Sequence, residues 1–204
     1  MTRAERLRRA WEREAGHFDR QIAPLDRRVL ADSRRWVAAR APGATRELAV
    51  GTGLNLPHYP PGLTLTGIDW SAEMVRHAGA RAAASGLRVD LRQADATALP
   101  FENHAFDAVV CTFSLCCIPD VRRTLTEAHR VLRPGGRLLL ADHVASTNPF
   151  LRALQHATEL VTVPLRGEHF TRRPLPTVRD LGFEVVEAER RSSGVIERVH
   201  ARRG

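Results

Sequence analysis

The segment ELAVGTGLNLPHYP, residues 47–60, joins a short apolar run to a turn that is rich in glycine. Leu48, Ala49 and Val50 predict a buried β-strand, and Gly51 and Gly53 follow it closely. Glycine has no Cβ, so a backbone built from it can come close to a bound molecule. The pattern therefore predicts a nucleotide-type ligand at the carboxyl end of a parallel strand.

An acidic residue stands where such a ligand would need it. Asp69 ends the next predicted strand, 18 residues after Gly51. A carboxylate there can accept hydrogen bonds from both ribose hydroxyls of an adenosine-containing ligand. A dinucleotide-binding loop would carry a third glycine at the position of Leu56, so nicotinamide and flavin cofactors are disfavoured. An ordinary tight turn between a strand and a helix is the alternative.

Strands and helices alternate along most of the chain, which predicts an α/β fold with a parallel sheet. The predicted strands span residues 46–50, 64–69, 88–94, 106–113 and 137–142, and the predicted helices span residues 3–15, 25–40, 71–84, 121–132, 150–163 and 174–181. The helix after the second strand is expected to stop at Ser85–Gly86, and residues 164–176 are expected to form a proline-rich loop. Segments 182–191 and 195–203 alternate apolar and polar residues, which predicts an antiparallel edge and seven strands in all.

Composition limits the class of protein. The 204 residues carry a net charge of +8, and every basic residue is arginine. The arginines are mixed with acids and form no basic-aromatic stripe, so a solvated surface is favoured over nucleic-acid binding. No apolar run is long enough to span a bilayer, and the N-terminus lacks a secretory pattern, which predicts one cytoplasmic domain over residues 1–204. Three cysteines predict neither a disulfide framework nor a zinc site.

Three further motifs carry a family resemblance. They are QADATALPF at 93–101, FDAVVCTFSLCCIPD at 106–120 and EAHRVLRPGGRLLLADH at 127–143. Their order resembles the class I S-adenosylmethionine-dependent methyltransferases, from about residue 18 to the end of the chain. Within that class the chain is similar to quinone-biosynthesis methyltransferases, bacterial phosphatidylethanolamine N-methyltransferases and animal alkyl-thiol methyltransferases. The resemblance implies a Rossmann-like fold, S-adenosylmethionine as cofactor, and methyl transfer to a small molecule.

The resemblance also implies a division of labour along the chain. Residues 1–40 would form a lid, 41–142 the cofactor-binding core, and 143–204 the substrate side with the closing strands. Ala49 replaces the first glycine of the family's loop, which a strand residue should tolerate, and Phe18 lacks the hydroxyl of the tyrosine found there in relatives. The residues expected to bind the cofactor are Phe18, Gly51, Thr52, Gly53, Asn55, Asp69, Trp70, Met74, Asp95, Ala96, Cys111 and Thr112.

Two histidines are candidates for catalysis. His143 directly follows the fifth predicted strand, where a neutral imidazole could take a proton from the acceptor. His169 lies in the irregular segment expected to roof the acceptor, and either histidine could instead only shape the pocket. The fourth strand ends in Cys111–Thr112 without a carboxylate, so no metal site is expected. Cys116–Cys117 are read as small buried apolar residues, with redox or metalloid chemistry as the alternative.

The acceptor stays open between two classes. The segments around residues 109–120 and 141–144 favour a thiol, whereas the glycine loop and the basic N-terminal helix suit an amine or phospholipid headgroup equally well. In that helix Leu7 and Trp11 could enter a membrane interface beside arginines, but a lid over the cofactor is favoured. A non-catalytic binding module is a remote alternative, and the oligomeric state is left open. The arginines in question are Arg3, Arg6, Arg9 and Arg13.

Overall fold

A computed structural model describes residues 1–85 and 87–204. Its centre is one seven-stranded sheet with the strand order β3-β2-β1-β4-β5-β7-β6. Strands β1 to β5 are parallel, and β7 runs antiparallel to both β5 and β6. The predicted fold class is therefore confirmed. The strands are β1 (Ala44–Leu48), β2 (Thr64–Asp69), β3 (Val89–Gln93), β4 (Phe106–Thr112), β5 (Leu132–His143), β6 (Phe183–Arg191) and β7 (Ile196–Arg203).

Six α-helices, counted over the described residues, surround the sheet. They are α1 (Arg3–Leu25), α2 (Ala31–Ala38), α3 (Ala72–Ser85), α4 (Val121–Val131), α5 (Pro149–Arg166) and α6 (Pro174–Asp180). A short 3-10 turn, Leu56–His58, follows the glycine turn. The predicted stop of α3 at Gly86 lies outside the described residues. Within the described part of the chain, no helix is long and apolar enough to cross a membrane.

The N-terminal helices differ from the prediction of two separate segments. Helix α1 runs to Leu25 and passes without a break into a π-helical turn, Asp26–Leu30, and then into α2. Pro24 lies inside α1 and has no N–H to donate, yet the helix continues through the wider π turn that follows. Residues 3–38 therefore form one continuous helical arm.

Alternating side chains of the central strands divide the core into two layers. In β4, Val109 belongs to the layer under α4 and α6, whereas Ala108 and Val110 belong to the layer under α2 and α3. Leu138 and Leu139 of β5 divide in the same way. With both faces covered, the carboxyl edge of the parallel strands is left free to form a site.

The prediction that Ala49 lies in a strand is wrong. Strand β1 ends at Leu48, and Ala49 has a φ of +49°, in the left-handed region that favours glycine. Phe113, directly after β4, is also left-handed, with a φ of +52°. The Ser114 hydroxyl donates a hydrogen bond to the Ala49 carbonyl over 3.3 Å, so the two turns are tied together.

Two smaller differences concern proline-containing segments. The RPGG segment does more than end α4, because β5 already begins at Leu132 and pairs there with Phe106. Helix α5 continues through Pro164 to Arg166, beyond the predicted end, and stops at Gly167, which has a φ of +71°. The predicted loop 164–176 is therefore shorter than expected.

Candidate active site

A cavity opens at the carboxyl edge of the sheet, under α1 and beside the loop that follows α5. Residues from the ends of β1, β2, β4 and β5 form its floor. It brings together nine of the twelve residues expected to bind the cofactor, namely Phe18, Gly51, Thr52, Asp69, Trp70, Met74, Asp95, Ala96 and Thr112. Gly53, Asn55 and Cys111 do not line it. Of the two histidines, His143 lines the cavity and His169 does not.

Asp69 is the acidic group of the floor. Its carboxylate is buried and accepts hydrogen bonds from the backbone amides of Gly51 (3.0 Å) and Ser71 (2.9 Å), one at each oxygen. Burial raises the pKa of Asp69 to about 6, against the opposing effect of these amide donors. Each carboxylate oxygen can accept a further hydrogen bond, so the group fits a pair of ribose hydroxyls.

The two glycines of the turn do different things. Gly51 has a φ of +56°, and a Cβ placed there would meet no atom within 4 Å, so it leaves open space beside Asp69. Gly53 has a φ of +81°, and its Cβ would stand 2.8 Å from Leu56 and 3.2 Å from the Ala78 backbone. Gly53 is therefore required for close packing of the turn on α3, while Gly51 leaves room for a ligand.

Asn55 lies under the floor and holds a buried polar network. Its side-chain amide donates to Glu47 (2.7 Å) and to the Thr112 hydroxyl (2.6 Å), and its carbonyl accepts from Arg34 (3.0 Å). Tyr59 donates its hydroxyl proton to the other oxygen of Glu47 over 2.9 Å. Burial raises the pKa of Glu47 to about 7. Asn55 thus supports two cavity residues from below.

Arg34 is a cavity residue that the sequence did not reveal. It reaches the cavity from α2, with its guanidinium 5.0 Å from the centre of the Phe113 ring. Asp26 of the π turn holds it through a 2.7 Å ion pair. Because arginine is usually exposed, its helical spacing gave no signal. Cys111, in contrast, is 1% exposed and packs inside the sheet core.

Helix α1 lies over the cavity and contributes to its lining. The Thr52 hydroxyl donates to Asp19 over 2.5 Å, and Arg81 bonds both Asp19 and the Thr52 carbonyl, which fixes α1 to the glycine turn. The Trp11 indole donates to the Arg166 carbonyl over 3.2 Å. Leu7 is 6% exposed and lies against the chain just after α5. The apolar stripe of α1 is therefore turned into the protein, and Leu7 is not free to enter a membrane.

The other side of the cavity is aromatic. His143 lies between Phe113 and Phe170, with ring centres 5.1 and 5.5 Å away. Burial lowers the pKa of His143, so the imidazole is neutral at pH 7. Its buried Nδ1 lies 3.9 Å from the Asp142 carboxylate and has no hydrogen-bond partner among the described residues. A neutral imidazole with an unpartnered nitrogen can accept a proton. His169 instead donates its backbone amide to the Cys116 carbonyl over 2.8 Å, which fixes the loop after α5.

Potential ligand atoms of Cys116, Asp142 and His143 lie within 4.8 Å of one another. The Asp142 carboxylate already accepts the backbone amides of Ser114 (3.1 Å), Cys116 (3.3 Å) and His143 (2.7 Å), the role of a carboxylate that shapes a loop. The Sγ atoms of Cys116 and Cys117 are 3.5 Å apart. Their mutual hydrogen bond, followed by burial, raises the pKa of Cys116 well above its ordinary value. Both cysteines line the cavity as protonated thiols at neutral pH.

Several wall residues were not singled out as site residues from the sequence. They are Ile22, Leu30, Phe113, Ser114, Ile118, Pro119, Glu168 and Phe170. The stretch 113–119 could have been included because it follows a buried strand at the ligand edge. Glu168 and Phe170 flank His169 in the segment expected to roof the acceptor, whereas Ile22 gave no such signal, since its approach depends on how α1 packs over the sheet.

Comparisons with known proteins agree with this geometry. Residues 47–140 match the profile of the family described as a methyltransferase domain. The chain is 37% identical over 135 residues to a phosphatidylethanolamine N-methyltransferase of Cereibacter sphaeroides, covering 64% of this chain and 66% of that protein. It is 42% identical over 106 residues to a demethylmenaquinone methyltransferase of Thermus thermophilus, covering 50% and 48%. The chain thus spans less than two thirds of the length of either relative.

A solved structure supports the fold over nearly the whole chain. A methyltransferase of Thermotoga maritima, described as S-adenosylmethionine-dependent and as a possible histamine N-methyltransferase, superposes with a TM-score of 0.74. The match covers 96% of this chain and 99% of that one at 22% identity, so it shows the fold alone. The open turn at Gly51 and the buried Asp69 fit the adenosyl part of the cofactor that this family uses. Residues 47–140 therefore match a methyltransferase domain, and the chain around them has the fold of S-adenosylmethionine-dependent methyltransferases.

Proposed function

We propose that the protein transfers a methyl group from S-adenosylmethionine to a small-molecule nucleophile, with a thiol as the favoured acceptor. One observation carries the proposal: Gly51, Asp69 and the imidazole of His143 line the same cavity. When bound, the cofactor supplies a methyl group on a positively charged sulfur, which is open to in-line displacement. The protein's main task is then to position the acceptor, because alignment supplies much of the rate.

The cavity residues divide between the parts of the cofactor. Asp69 would accept the ribose hydroxyls, and Trp70 with Met74 would pack on the adenine. Asp95 and Ala96, which also line the cavity, would hold the adenine edge. The other end of the cofactor carries a carboxylate, and Arg34 is the guanidinium that the lining offers to it. These assignments are proposals that rest on the placement of the side chains.

The acceptor side favours a nucleophile with an apolar body and a proton to lose. Phe113, Phe170 and Ile118 supply apolar walls, and the two cysteines are uncharged. A thiol has a pKa of about 8.5, so it is largely protonated at neutral pH. His143 would accept the thiol proton at its imidazole while the sulfur forms its bond to the methyl carbon. The methyl–sulfonium bond breaks, and its electron pair stays on the departing thioether sulfur.

An amine acceptor is the second candidate, and Glu168 is the observation that favours it. Glu168 lines the cavity, and burial raises the pKa of its carboxyl group. A carboxylate at this position could attract a protonated amine, from which His143 would remove the proton. The name of the Cereibacter relative, a phosphatidylethanolamine N-methyltransferase, points to the same class of acceptor.

The experiment is a screen for S-adenosylhomocysteine formed from S-adenosylmethionine with thiols, amines, phenols and phosphatidylethanolamine. We expect turnover with an apolar thiol, and Glu168→Gln should leave that turnover within about twofold. If amines turn over instead and Glu168→Gln raises their KM, the amine proposal replaces the thiol proposal. No product with any class, together with no heat of S-adenosylmethionine binding in calorimetry, would overturn the methyltransferase function.

A non-catalytic nucleic-acid-binding module stays a remote alternative. Its support is the net charge of +8. Binding to nucleic acid through phosphates weakens steeply with salt, so filter binding over a salt series tests it directly. We expect no retention of single- or double-stranded nucleic acid at 150 mM salt, on the order of physiological ionic strength. Strong, salt-sensitive retention without methyl transfer would favour the module instead.

A further inference from the structure

Helix α5 presents its apolar side chains to solvent. Phe150, Leu154, Leu160, Val161 and Leu165 are 77%, 58%, 79%, 58% and 64% exposed. Four of them, at positions 150, 154, 161 and 165, recur at spacings of four and seven and so share one side of the helix. We call these five residues the α5 apolar face. A contiguous exposed apolar patch of this kind marks a site of interaction.

The opposite side of α5 is polar and faces the protein. Gln155 donates to the carbonyls of Val144 (2.9 Å) and Phe170 (3.2 Å). Glu159 accepts from the Thr171 backbone amide over 2.7 Å. Of the 18 residues in α5, all of them described, none is buried. A surface helix normally packs its apolar side inward, so α5 is inverted and needs an apolar partner from outside.

The charges around this face indicate what kind of partner it fits. Within Pro149–Arg166 the charged residues Arg152, Glu159 and Arg166 lie on the side of the helix opposite positions 150, 154, 161 and 165. Helix α1 packs beside α5, joined by the Arg166–Glu14 ion pair at 3.1 Å. The arginines of its N-terminal half are exposed: Arg3, Arg6, Arg8, Arg9 and Arg13. An apolar helix face, with exposed cations on the helix packed beside it, suits the interface of an anionic bilayer.

We propose that α5 docks this protein on the surface of an anionic lipid membrane. From Phe150 to Leu165 the apolar face is about 22 Å long, and it would lie flat in the interface while the arginines meet lipid phosphates. A second copy of the chain is the less suitable occupant, because it would bring another net charge of +8 against the first. The inferred surface is on α5, whereas on α1 Leu7 is buried and Trp11 lines the cavity.

Docking through α5 would bring the cavity close to the membrane. The inner, polar side of the helix holds the loop that follows it, and that loop carries Glu168 and Phe170 into the cavity wall. In a docked protein, only helix α5 would therefore separate the lipid from the cavity wall formed by Glu168 and Phe170. Membrane docking does not depend on methyl transfer, so it can be tested without any acceptor.

The test is flotation of the full chain with vesicles of phosphatidylcholine, with and without about one third phosphatidylglycerol, at low and physiological salt. We expect binding to the anionic vesicles and at least a tenfold loss of binding in the double variant Leu154→Glu/Val161→Glu. Both side chains are exposed, so the fold should persist, and calorimetry with S-adenosylmethionine checks this. The matched control Val186→Glu, at a residue 48% exposed on β6, should float like the parent.

Three outcomes would overturn the inference. The parent chain could fail to float with anionic vesicles at low salt, or the double variant could float as well as the parent. Light scattering could also show a stable dimer that Leu154→Glu/Val161→Glu converts to monomer, in which case the α5 apolar face is a contact between copies. Loss of S-adenosylmethionine binding in the parent would count against the proposed function and would leave the flotation result unaffected.

Discussion

The Asp69 carboxylate and the Gly51 amide share a 3.0 Å hydrogen bond that connects the end of β2 to the turn after β1. The same carboxylate is the one expected to accept the cofactor's ribose hydroxyls. Asp69→Asn should weaken S-adenosylmethionine binding by about 10- to 100-fold, since a hydrogen bond to a charged group contributes about 1.5–3 kcal/mol. Titration calorimetry measures this, with the exposed Asp90→Asn as the control. Equal affinities of Asp69→Asn and the parent would contradict the assignment.

The raised pKa of Asp69 predicts how cofactor affinity depends on pH. Burial brings the pKa to about 6 in the free protein, and the ribose hydroxyls need the ionised form as acceptor. Below pH 6 a proton therefore competes with the cofactor, and the Kd should rise by up to about tenfold per pH unit. Between pH 7 and 8 the Kd should be flat. Calorimetry at pH 5, 6, 7 and 8 tests this, and an affinity that is constant down to pH 5 would contradict it.

Buried Glu47 should make the protein less stable as the pH rises. Burial raises its pKa from 4.5 to about 7, so the folded chain holds a proton that the unfolded chain releases between these values. The free energy of unfolding should therefore fall through this window, by up to about 3 kcal/mol from this group, and level off above pH 7. Glu47→Gln should flatten the profile. Urea unfolding from pH 4.5 to 8 measures it, with exposed Glu184→Gln expected to keep the parent's slope.

The left-handed backbone at Ala49 predicts a stabilising substitution. An alanine there is strained, and glycine adopts the same φ freely, although it also gains entropy in the unfolded chain. Ala49→Gly should raise the free energy of unfolding by about 0.5–1 kcal/mol. Ala188→Gly, in the regular strand β6, should lower it by about 0.5–1 kcal/mol. Denaturant midpoints compare the two, and a destabilised Ala49→Gly would show that the methyl group packs usefully.

Substitution of His143 should lower turnover and leave cofactor binding unchanged. If its imidazole accepts the acceptor's proton, His143→Asn should lower kcat by about 100-fold and change the Kd for S-adenosylmethionine by less than about twofold. Because burial lowers the pKa of this imidazole below 6.5, the parent's kcat should fall only at pH values below that point. The exposed, left-handed His104→Asn is the control. A variant with full kcat would leave His143 as a wall residue.

The ligand edge of the fold was predictable because it depends on short-range patterns. Strand periodicity placed Asp69 at a strand end, and the glycine turn predicted a ligand close to its carboxylate. The same reasoning placed Ala49 in a strand, because an apolar residue before a glycine gives no sign that its own φ is positive. The identity of a residue in a turn does not reveal its backbone conformation, because hydrogen bonds from the next strand also determine that conformation.

The cavity walls that come from distant parts of the chain were not predictable. Arg34 reaches the cavity only because the helical arm turns it inward over Asn55, and nothing in the spacing of α2 indicates this. The apolar residues of α5 predicted a helix correctly. They could not indicate which way its apolar side faces, because periodicity shows that one side is apolar and does not say what that side meets.

The π turn at Asp26–Leu30 determines how the helix that follows it, α2, is rotated about its own axis. A π turn holds about one residue more than an α-helical turn, and one residue corresponds to about 100° of rotation. Shortening this segment by a single residue would swing Arg34 away from Asn55 and Thr112, with every side chain of the helix still present. In this protein the number of residues in one helical turn, and not only their identity, determines whether the Arg34 guanidinium faces the cavity.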